Sequence, residues 1–319
     1  MRNRLLIVFF LMSTFLNSEE NFGIVVHGGA GVMSGLSEET RSQINAKIKE
    51  SVSEAFLILE NGGSSIDAVE KAVTILEDSP LFNAGRGSVY SSDEVQEMDA
   101  SIMDGKKRLA GAVASVSIVK NPIKLARKVA EETDHVLLVG DGAEAFAKNA
   151  GIEIVDSSYF YHEERLQRVR NLKKNVSKFH KKSDKIGTVG AVALDKMGNI
   201  SAATSTGGMT NKMPGRVGDS PIIGSGTWAQ NGVCGVSSTG HGEYFIKYQV
   251  AREVCTRMEY LNQSLSKSSS SIINELADIG GSGGLIAIDS KGNISTPFNT
   301  KGMIRGSQTN KMELSSEIY

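Results

Sequence analysis

The stretch Lys185-Ile-Gly-Thr-Val-Gly-Ala-Val-Ala-Leu194 marks the point where a charged region gives way to an apolar, strand-like run. Thr188 follows Gly187 directly at that junction. A threonine inside a chain is a poor nucleophile. Once the bond before it is cut, it carries its own base, a free α-amine with an ordinary pKa of about 7.7–8.0. The stretch therefore suggests a chain processed before Thr188, and the alternative is an ordinary strand threonine.

Three polar segments follow this junction, and all are rich in small, hydroxyl and charged residues. They are Thr204-Ser-Thr-Gly-Gly208, Pro214-Gly-Arg-Val-Gly-Asp219 and Ser237-Ser-Thr-Gly-His-Gly-Glu243. Arg216 and Asp219 lie three residues apart in a glycine-rich loop, where they could hold a carboxylate and an ammonium group. Without the neighbouring motifs, a surface ion pair would be the better interpretation.

The region before the junction is strongly basic. Between Arg165 and Lys185 there are nine Lys or Arg and one acidic residue, which leaves a net charge of −9 on the rest of a chain whose total is −1. We expect a flexible basic linker over residues 165–187 rather than a nucleic-acid arm, because aromatic residues and glycines do not alternate with the charges. The near-neutral total also argues against general nucleic-acid binding.

Residues 1–18 have the pattern of an export signal. Arg2 and Arg4 precede a mainly apolar run from Leu5 to Leu16 that is too short to span a bilayer. We expect a periplasmic or secreted mature protein that is not bound to a membrane. If this segment is instead a first structural element, the protein is cytoplasmic.

The cysteines and histidines predict no metal site and no cofactor. The two cysteines, Cys234 and Cys255, specify no disulfide framework, and the five histidines lack ligand spacing. At 319 residues and 40% apolar, the chain can bury a substantial core.

The hydrophobic pattern predicts alternating blocks of strands and helices. A strand over 22–26 ends in a tight loop at 27–31, and Ser37 caps a helix that Gly62-Gly63 ends. Ser64-x-x-Asp67 is a capping box for the next helix. Further strands are expected at 98–103, 110–119 and 135–139, and further helices at 122–132, 141–150, 243–261 and 269–278.

One hairpin occurs twice in the second half. Ala193-Leu-Asp-Lys-Met-Gly-Asn-Ile-Ser201 and Ala287-Ile-Asp-Ser-Lys-Gly-Asn-Ile-Ser295 both lead an apolar strand into an Asp, a Gly-Asn turn and a return strand. Because helices and strands come in blocks, we expect an α+β fold of stacked layers rather than a doubly wound parallel sheet.

These motifs, in this order, resemble the plant-type asparaginases, which also act as β-aspartyl (isoaspartyl) peptidases and belong to the N-terminal nucleophile hydrolases. The similarity extends over residues 22–306. The further segments that carry it are Val26-His-Gly-Gly-Ala-Gly31, Pro80-Leu-Phe-Asn-Ala-Gly85, Met98-Asp-Ala-Ser-Ile-Met-Asp104, Gly111-Ala-Val-Ala114 and Pro297-Phe-Asn-Thr-Lys-Gly-Met-Ile-Arg305.

The resemblance implies a four-layer αββα sandwich and a precursor that cuts itself before Thr188. An α subunit over 22–187 and a β subunit over 188–319 would remain one domain. Two such pairs would associate as (αβ)2.

The resemblance also implies a role for each site residue. Thr188 would be the nucleophile, Thr206 would support it, and the Thr239 hydroxyl and Gly240 N–H would form the oxyanion hole. Asn83 matches an asparagine near the nucleophile. Arg216 would bind the substrate α-carboxylate and Asp219 its α-ammonium group. The substrate pocket would comprise Arg216, Val217, Gly218, Asp219, Thr239, Gly240, His241 and Gly242, with His241 in its wall.

Family members also hold a structural sodium ion with backbone carbonyls. The matching positions here are Leu76, Glu77, Ser79, Phe82, Ala84 and Arg86. Every residue has a backbone carbonyl, so side-chain identity does not indicate whether these carbonyls bind an ion.

The sequence therefore predicts an autoprocessed threonine amidohydrolase that acts on L-asparagine and β-aspartyl dipeptides. An aspartylglucosaminidase acting on glycosylated asparagine is the near alternative, although that group reads His-Asp-Thr at the cut where this chain reads Ile-Gly-Thr. An exported binding protein with the same fold and no catalysis is the alternative of another class.

Overall fold

The computed structural model describes residues 20–31, 35–174 and 187–319, and it has a mixed α/β fold. The predicted export signal lies outside the described residues. The strands are β1 (Gly23–Gly31), β2 (Met98–Asp104), β3 (Leu109–Val116), β4 (Leu137–Val139), β5 (Val189–Leu194), β6 (Ile200–Thr206), β7 (Thr227–Gln230), β8 (Cys234–Gly240), β9 (Gly283–Asp289), β10 (Ile294–Ser295), β11 (Gly302–Thr309) and β12 (Met312–Glu317). The helices are α1 (Glu38–Glu60), α2 (Ser65–Glu77), α3 (Pro122–Glu132), α4 (Gly140–Asn149), α5 (Glu163–Lys174), α6 (Gly242–Tyr248), α7 (Val250–Leu261) and α8 (Leu265–Asp278).

The strands form two sheets. The larger has eight strands in the order β12-β11-β1-β5-β6-β2-β3-β4, and the smaller has four in the order β10-β9-β8-β7. Neighbours are antiparallel except for β3 and β4, which are parallel. The predicted nucleophile Thr188 directly precedes β5, a central strand of the larger sheet.

Apolar side chains cover both faces of the larger sheet. In β5, Val189, Ala191 and Ala193 join a cluster with residues of α1, α2 and α3. Val192 and Leu194 join a second cluster, which includes Ile286 and Ile288 of β9. A third cluster joins β8 and β9 to α7 and α8. Successive strand side chains point to opposite faces, so β5 contributes to the core on both sides.

The two predicted helix caps are confirmed. The Ser37 side chain accepts a hydrogen bond from the Thr40 N–H at the start of α1, and the Ser64 side chain accepts one from the Asp67 N–H at the start of α2. Each cap satisfies an amide that has no partner within its helix.

The repeated hairpin is confirmed in atomic detail. Asp195 Oδ1 accepts the N–H groups of Met197 and Asn199, both at 2.9 Å, and Asp289 Oδ1 accepts those of Lys291 and Asn293 at the same distance. In both turns the asparagine side chain donates back to the other aspartate oxygen. The same local sequence therefore builds the same turn in each sheet.

Several predicted elements were wrong in their extent. The strand expected over 110–119 ends at Val116, and the helix expected over 269–278 begins at Leu265. The tight loop expected at 27–31 is part of β1, which continues to Gly31 with a bulge between His27 and Gly29. The helix expected over 243–261 is broken at Gln249, whose φ of 50° is left-handed. The break frees the Ala251 and Arg252 amides to donate to the Ser225 and Gly224 carbonyls, at 3.1 and 2.8 Å.

The basic linker expected over 165–187 was wrong in its first part. Residues up to Lys174 belong to α5, which buries Leu166 and Val169 beside Tyr90. Arg170 and Lys173 both pair with Glu94, at 2.7 and 3.4 Å. A partner 76 residues earlier in the chain thus balances part of the basic charge. Residues 175–186 lie outside the described residues.

Cys234 and Cys255 form a disulfide, which the sequence did not predict. It joins the start of β8 to α7, and both cysteines are fully buried. Across 20–31, 35–174 and 187–319, no helix has an apolar stretch of the length needed to cross a bilayer.

Candidate active site

Thr188 is held in a strained backbone conformation directly before β5. Its φ of 59° is left-handed, an unusual state for a β-branched residue that costs about 1–3 kcal/mol. The residue is 7% exposed, and its hydroxyl donates a hydrogen bond to Thr206 Oγ1 at 3.0 Å. Such strain persists only where the surrounding structure imposes it, so Thr188 is positioned by its neighbours.

Thr206 ends β6, the strand that pairs with β5. The register Val189↔Ser205 brings the two threonines to the same edge of the sheet. Thr206 Oγ1 also accepts the Gly208 N–H at 2.9 Å. Its oxygen therefore receives two hydrogen bonds, and the one from Thr188 fixes the direction of the predicted nucleophile.

The peptide bond before Thr188 faces the predicted oxyanion residue. The Thr239 hydroxyl, on β8, donates to the Gly187 carbonyl at 3.4 Å, and it accepts the Ala30 N–H at 3.2 Å. Gly29 permits this approach, because a Cβ there would lie 2.1 Å from the Gly187 carbonyl oxygen. Two strands from different sheets, β1 and β8, thus meet at the bond that the sequence predicts to be cut.

Asn83 connects two loops beside this bond. Its side chain accepts the Val89 N–H at 2.9 Å and donates to the Gly208 carbonyl at 2.7 Å. A Cβ at Gly187 would lie 3.5 Å from Asn83 Nδ2. Asn83 therefore lies near the predicted cut and holds the turn that follows Thr206.

Arg216 and Asp219, the predicted substrate clamp, lie on the loop after β6. Asp219 is 5% exposed, and its Oδ2 has no hydrogen-bond partner among the described residues. Burial raises the pKa of Asp219 to about 7, against the opposing effect of the Arg216 charge. An unpartnered buried carboxylate beside a cavity is suited to bind a cationic group of a ligand.

Glu243 is a partner of Arg216 that the sequence analysis did not assign. Its Oε1 accepts a hydrogen bond from Arg216 Nε at 3.0 Å and lies 2.9 Å from Arg216 Nη2 in an ion pair. Burial would raise the pKa of Glu243, but the Arg216 charge, a backbone hydrogen bond, the hydrogen bond from Arg216 and the His241 charge together outweigh burial, so the pKa is lowered. Glu243 is the last residue of the polar segment Ser237–Glu243. In the sequence, only its place in that motif could have indicated that it pairs with Arg216.

A small cavity of about 30 Å³ joins these groups. That volume exceeds the space that one water molecule needs, and Gly187 forms part of the wall. Of the predicted pocket residues, Val217, His241 and Gly242 are not in the wall. Gly242 packs behind Asp219, and His241 contacts Tyr244 and Glu243. The wall comprises Ala30, Asn83, Gly187, Thr188, Thr206, Gly208, Met209, Thr210, Arg216, Gly218, Asp219, Ser220, Thr239 and Gly240.

His27 lies buried behind the site, and the sequence analysis gave it no role. Its Nε2 is 3.0 Å from Ser237 Oγ, which is 2.7 Å from Thr204 Oγ1. Burial lowers the pKa of His27 to about 3, so the ring is neutral at physiological pH. The ring packs where β1, β5 and β8 meet, and a Cβ at Gly190 would lie 2.5 Å from its Nε2.

The loop predicted to hold sodium is tightly folded. A Cβ at Gly85 would lie 2.4 Å from the Glu77 carbonyl oxygen, and one at Gly87 would lie 2.0 Å from that of Phe82. Within the described parts of the chain, His, Cys, Asp and Glu side chains form no group of three or more that could hold a metal ion.

Comparison with known proteins gives one consistent family. The family model described as "Asparaginase" matches residues 20–316. The chain is 45% identical over 292 residues to a protein named isoaspartyl peptidase from Escherichia coli K12, covering 88% of this chain and 91% of the relative. It is also 45% identical over 292 residues to a protein of the same name from Salmonella typhimurium, covering 88% and 93%. It is 46% identical over 284 residues to a protein named isoaspartyl peptidase/L-asparaginase from Xenopus laevis, covering 88% and 90%.

Proposed function

Because this chain belongs to the asparaginase family, we propose that it is a threonine amidohydrolase that cuts itself between Gly187 and Thr188 and then hydrolyses L-asparagine and β-aspartyl dipeptides. It is a hydrolase acting on amide bonds. The observation that carries the proposal is the position of Thr188. Its hydroxyl is bound to Thr206, and the carbonyl before it faces the Thr239 hydroxyl.

The first step is an intramolecular acyl shift. Thr188 Oγ attacks the Gly187 carbonyl carbon, and the Thr239 hydroxyl stabilises the charge that develops on the carbonyl oxygen. The C–N bond between Gly187 and Thr188 breaks as the nitrogen takes up the proton that leaves Thr188 Oγ, and an ester on Thr188 remains. Water then hydrolyses the ester to give the Gly187 carboxylate and a free Thr188 amine and hydroxyl. The left-handed φ of Thr188 supports this step, because breaking the bond relieves the strain.

The second activity uses the groups that cleavage releases. The Thr188 α-amine takes the proton from Oγ, which attacks the side-chain amide carbon of the substrate. The Thr239 hydroxyl and the Gly240 N–H stabilise the oxyanion. Ammonia, or the amine of a dipeptide, leaves with the proton from the α-amine, and water releases aspartate from the Thr188 ester. Gly187 forms part of the cavity wall in the uncut chain, so cleavage would open the cavity on that side.

The charged loop recognises the substrate. Arg216 binds the α-carboxylate through nitrogens not engaged by Glu243, and Asp219 binds the α-ammonium group. The buried, unpartnered Oδ2 of Asp219 supports this role. Both substrates carry these two groups on the aspartyl unit, so one clamp serves both.

We further propose the four-layer αββα arrangement and the (αβ)2 assembly of α (22–187) and β (188–319) subunits. The three apolar clusters described above support the layers. Assembly is supported by β4, an edge strand of the larger sheet, which exposes Leu137 and Val139 beside the exposed Val136. A sodium ion on the carbonyls of Leu76, Glu77, Ser79, Phe82, Ala84 and Arg86 would stabilise the loop that carries Asn83.

We also propose that the protein is exported. The disulfide between Cys234 and Cys255 supports it, because such bonds persist mainly in oxidising compartments. Fractionation of the native cells tests it. Recovery with a periplasmic or secreted fraction supports export, and recovery only with the cytoplasm contradicts it.

Assays of the cleaved protein with three substrates test the proposed activity. We expect aspartate release from L-asparagine and from a β-aspartyl dipeptide, and no release from a glycosylated asparagine. Activity on the glycosylated substrate alone would favour an aspartylglucosaminidase. Binding of the substrates without turnover by cleaved protein would favour a binding protein.

A further inference from the structure

Five polar side chains form a hydrogen-bonded network between the two sheets, directly beside the site. His27, Ser101 and Thr204 belong to β1, β2 and β6 of the larger sheet, whereas Thr227 and Ser237 belong to β7 and β8 of the smaller one. All five side chains are fully buried. Buried polar groups are costly unless they find partners, and here they find them in one another. We call these five residues the inter-sheet network.

Every contact within the inter-sheet network joins one sheet to the other. Ser237 Oγ lies 3.0 Å from His27 Nε2 and 2.7 Å from Thr204 Oγ1. The Thr227 hydroxyl donates to Thr204 Oγ1 at 2.6 Å, and Ser101 Oγ lies 2.8 Å from Thr227 Oγ1. Apolar packing between the sheets has no preferred direction, whereas a hydrogen bond requires a particular distance and angle. The network is therefore suited to set the spacing of the two sheets.

The contact between Thr204 and Ser237 lies one step along each strand from the site. Thr204 is two residues before Thr206, and Ser237 is two residues before Thr239. Side chains two residues apart on a strand point to the same face. The contact thus lies on the same strand faces as Thr206, which holds the Thr188 hydroxyl, and Thr239. The distance between the nucleophile and the oxyanion donor depends on the sheet spacing at this level.

Gly190 leaves the space that the network needs. It follows Thr188 by two residues in β5, and it pairs with His27 in β1 and Thr204 in β6. A Cβ at Gly190 would lie 2.0 Å from Ser237 Oγ and 2.5 Å from His27 Nε2. The strand that follows the nucleophile therefore approaches the smaller sheet closely where the network lies.

We infer that the inter-sheet network holds the Thr239 hydroxyl at the distance from Thr188 that bond breaking requires. His27, Thr204 and Ser237 are then positioning residues, which act through the threonines that follow them on the strands. The His27 ring is neutral, so the network holds the sheets together without burying a charge. This inference rests on the roles of Thr188 and Thr239 in the proposed function.

The predicted effect is on bond breaking and not on substrate affinity. Thr204→Val keeps the shape of the side chain and removes its hydroxyl. We expect kcat for L-asparagine to fall at least about tenfold, because a misplacement of about 1 Å can cost about 100-fold in rate, while KM stays within about threefold. Self-cleavage should slow as well, since Thr188 and Thr239 both act on the Gly187 carbonyl. Thr204→Ser keeps the hydroxyl and should retain most of both rates.

Ser237 and Ser238 provide a matched pair on one strand. Both are fully buried, but Ser238 Oγ has no hydrogen-bond partner among the described residues. Ser237→Ala should lower kcat at least about tenfold by the same displacement, whereas Ser238→Ala should leave kcat and KM unchanged. Ser237 and Thr204 act through one contact, so the loss in Thr204→Val/Ser237→Ala should be clearly smaller than the product of the single losses. If Ser237→Ala does not fold, the self-cleavage rates of Thr204→Val and Thr204→Ser still test the inference.

The outcomes are distinct. Unmodified protein that cuts itself but turns over neither substrate would contradict the proposed function, whatever the variants do. Active unmodified protein with a normal kcat and normal self-cleavage in folded Thr204→Val would overturn this inference alone. So would equal losses in Ser237→Ala and Ser238→Ala, a change in KM with kcat unaltered, or single effects on kcat that simply multiply in the double variant.

Discussion

The two halves of the site differ in what they are made of and in what holds them. The hydroxyl half, which comprises Thr188, Thr206 and Thr239, is neutral and lies at the ends of strands whose register fixes its geometry. The charged half, which comprises Arg216, Asp219 and Glu243, lies on the loop after β6 and at the start of α6. In the proposed function, the residues at the strand ends break the amide bond and the charged residues bind the substrate. Changes in the first half should therefore act on rate, and changes in the second on affinity.

The largest effect is expected at Thr188. Thr188→Ala removes the only proposed nucleophile, so both self-cleavage and hydrolysis should fall below detection. Thr188→Ser keeps a hydroxyl and is the matched control, which should still cut itself, though more slowly. Denaturing gel electrophoresis over several days measures both. Efficient cleavage of Thr188→Ala would contradict the assignment.

Thr239→Ala should have the next largest effect. Loss of one oxyanion donor typically lowers kcat by about 10²–10³-fold, and KM should change little. Because the Thr239 hydroxyl also contacts the Gly187 carbonyl, self-cleavage should slow as well. Thr239→Ser keeps the donor and should retain most of the rate. A change confined to KM would indicate that Thr239 binds the substrate and does not stabilise the oxyanion.

The charged half should give the site a pH dependence. The pKa of Asp219 is raised to about 7, and only its ionised form attracts an ammonium group. As the pH falls below 7, protonation of Asp219 should lower kcat/KM for L-asparagine by up to about tenfold per pH unit, in addition to the fall caused by protonation of the Thr188 α-amine.

Asp219→Asn is the variant that isolates this effect. This variant should have a raised KM for L-asparagine at pH 8. Its kcat/KM should also lack the fall with decreasing pH that protonation of Asp219 causes in the unmodified protein. The limb from the Thr188 α-amine, whose ordinary pKa is about 7.7–8.0, should remain in both proteins. Superimposable profiles for the two proteins would contradict the role of Asp219.

The smallest effect on activity is expected from the disulfide. It joins the start of β8 to α7, at the opposite end of the strand from Thr239. The variant Cys234→Ser/Cys255→Ala should keep its kcat at low temperature but lose about 2–4 kcal/mol of unfolding free energy. Urea unfolding with and without reductant measures this. Reductant should destabilise only the unmodified protein, and equal stability in all four samples would contradict the prediction.

The local sequence was sufficient to predict the elements whose backbone N–H groups are bound by nearby side chains. The caps at Ser37 and Ser64 and the turns at Asp195 and Asp289 depend on side chains within four residues. The two hairpins also show the limit of such reasoning. Their turns are alike, yet β5 is preceded by Thr188 and β9 by the glycine-rich turn that follows α8. The chemistry depends on the residues that lie next to the end of the strand, and the turn motif carries no information about them.

The features that the sequence did not predict depend on partners far along the chain. The start of α5 looked like a linker because Glu94, which pairs with Arg170, lies 76 residues away. The helix break at Gln249 depends on the carbonyls of the loop at Gly224 and Ser225. In the site, Thr188, Arg216 and Asp219 came from motifs, whereas the pairing of Glu243 with Arg216 became visible only when the chain folded.

The most direct test of the account is the denaturing intact mass of freshly purified protein, with sequencing of the new amino terminus. The account predicts two fragments, the smaller beginning at Thr188, in a sample that also hydrolyses L-asparagine. A single uncut chain that stays stable for days would contradict it and leave the binding-protein interpretation.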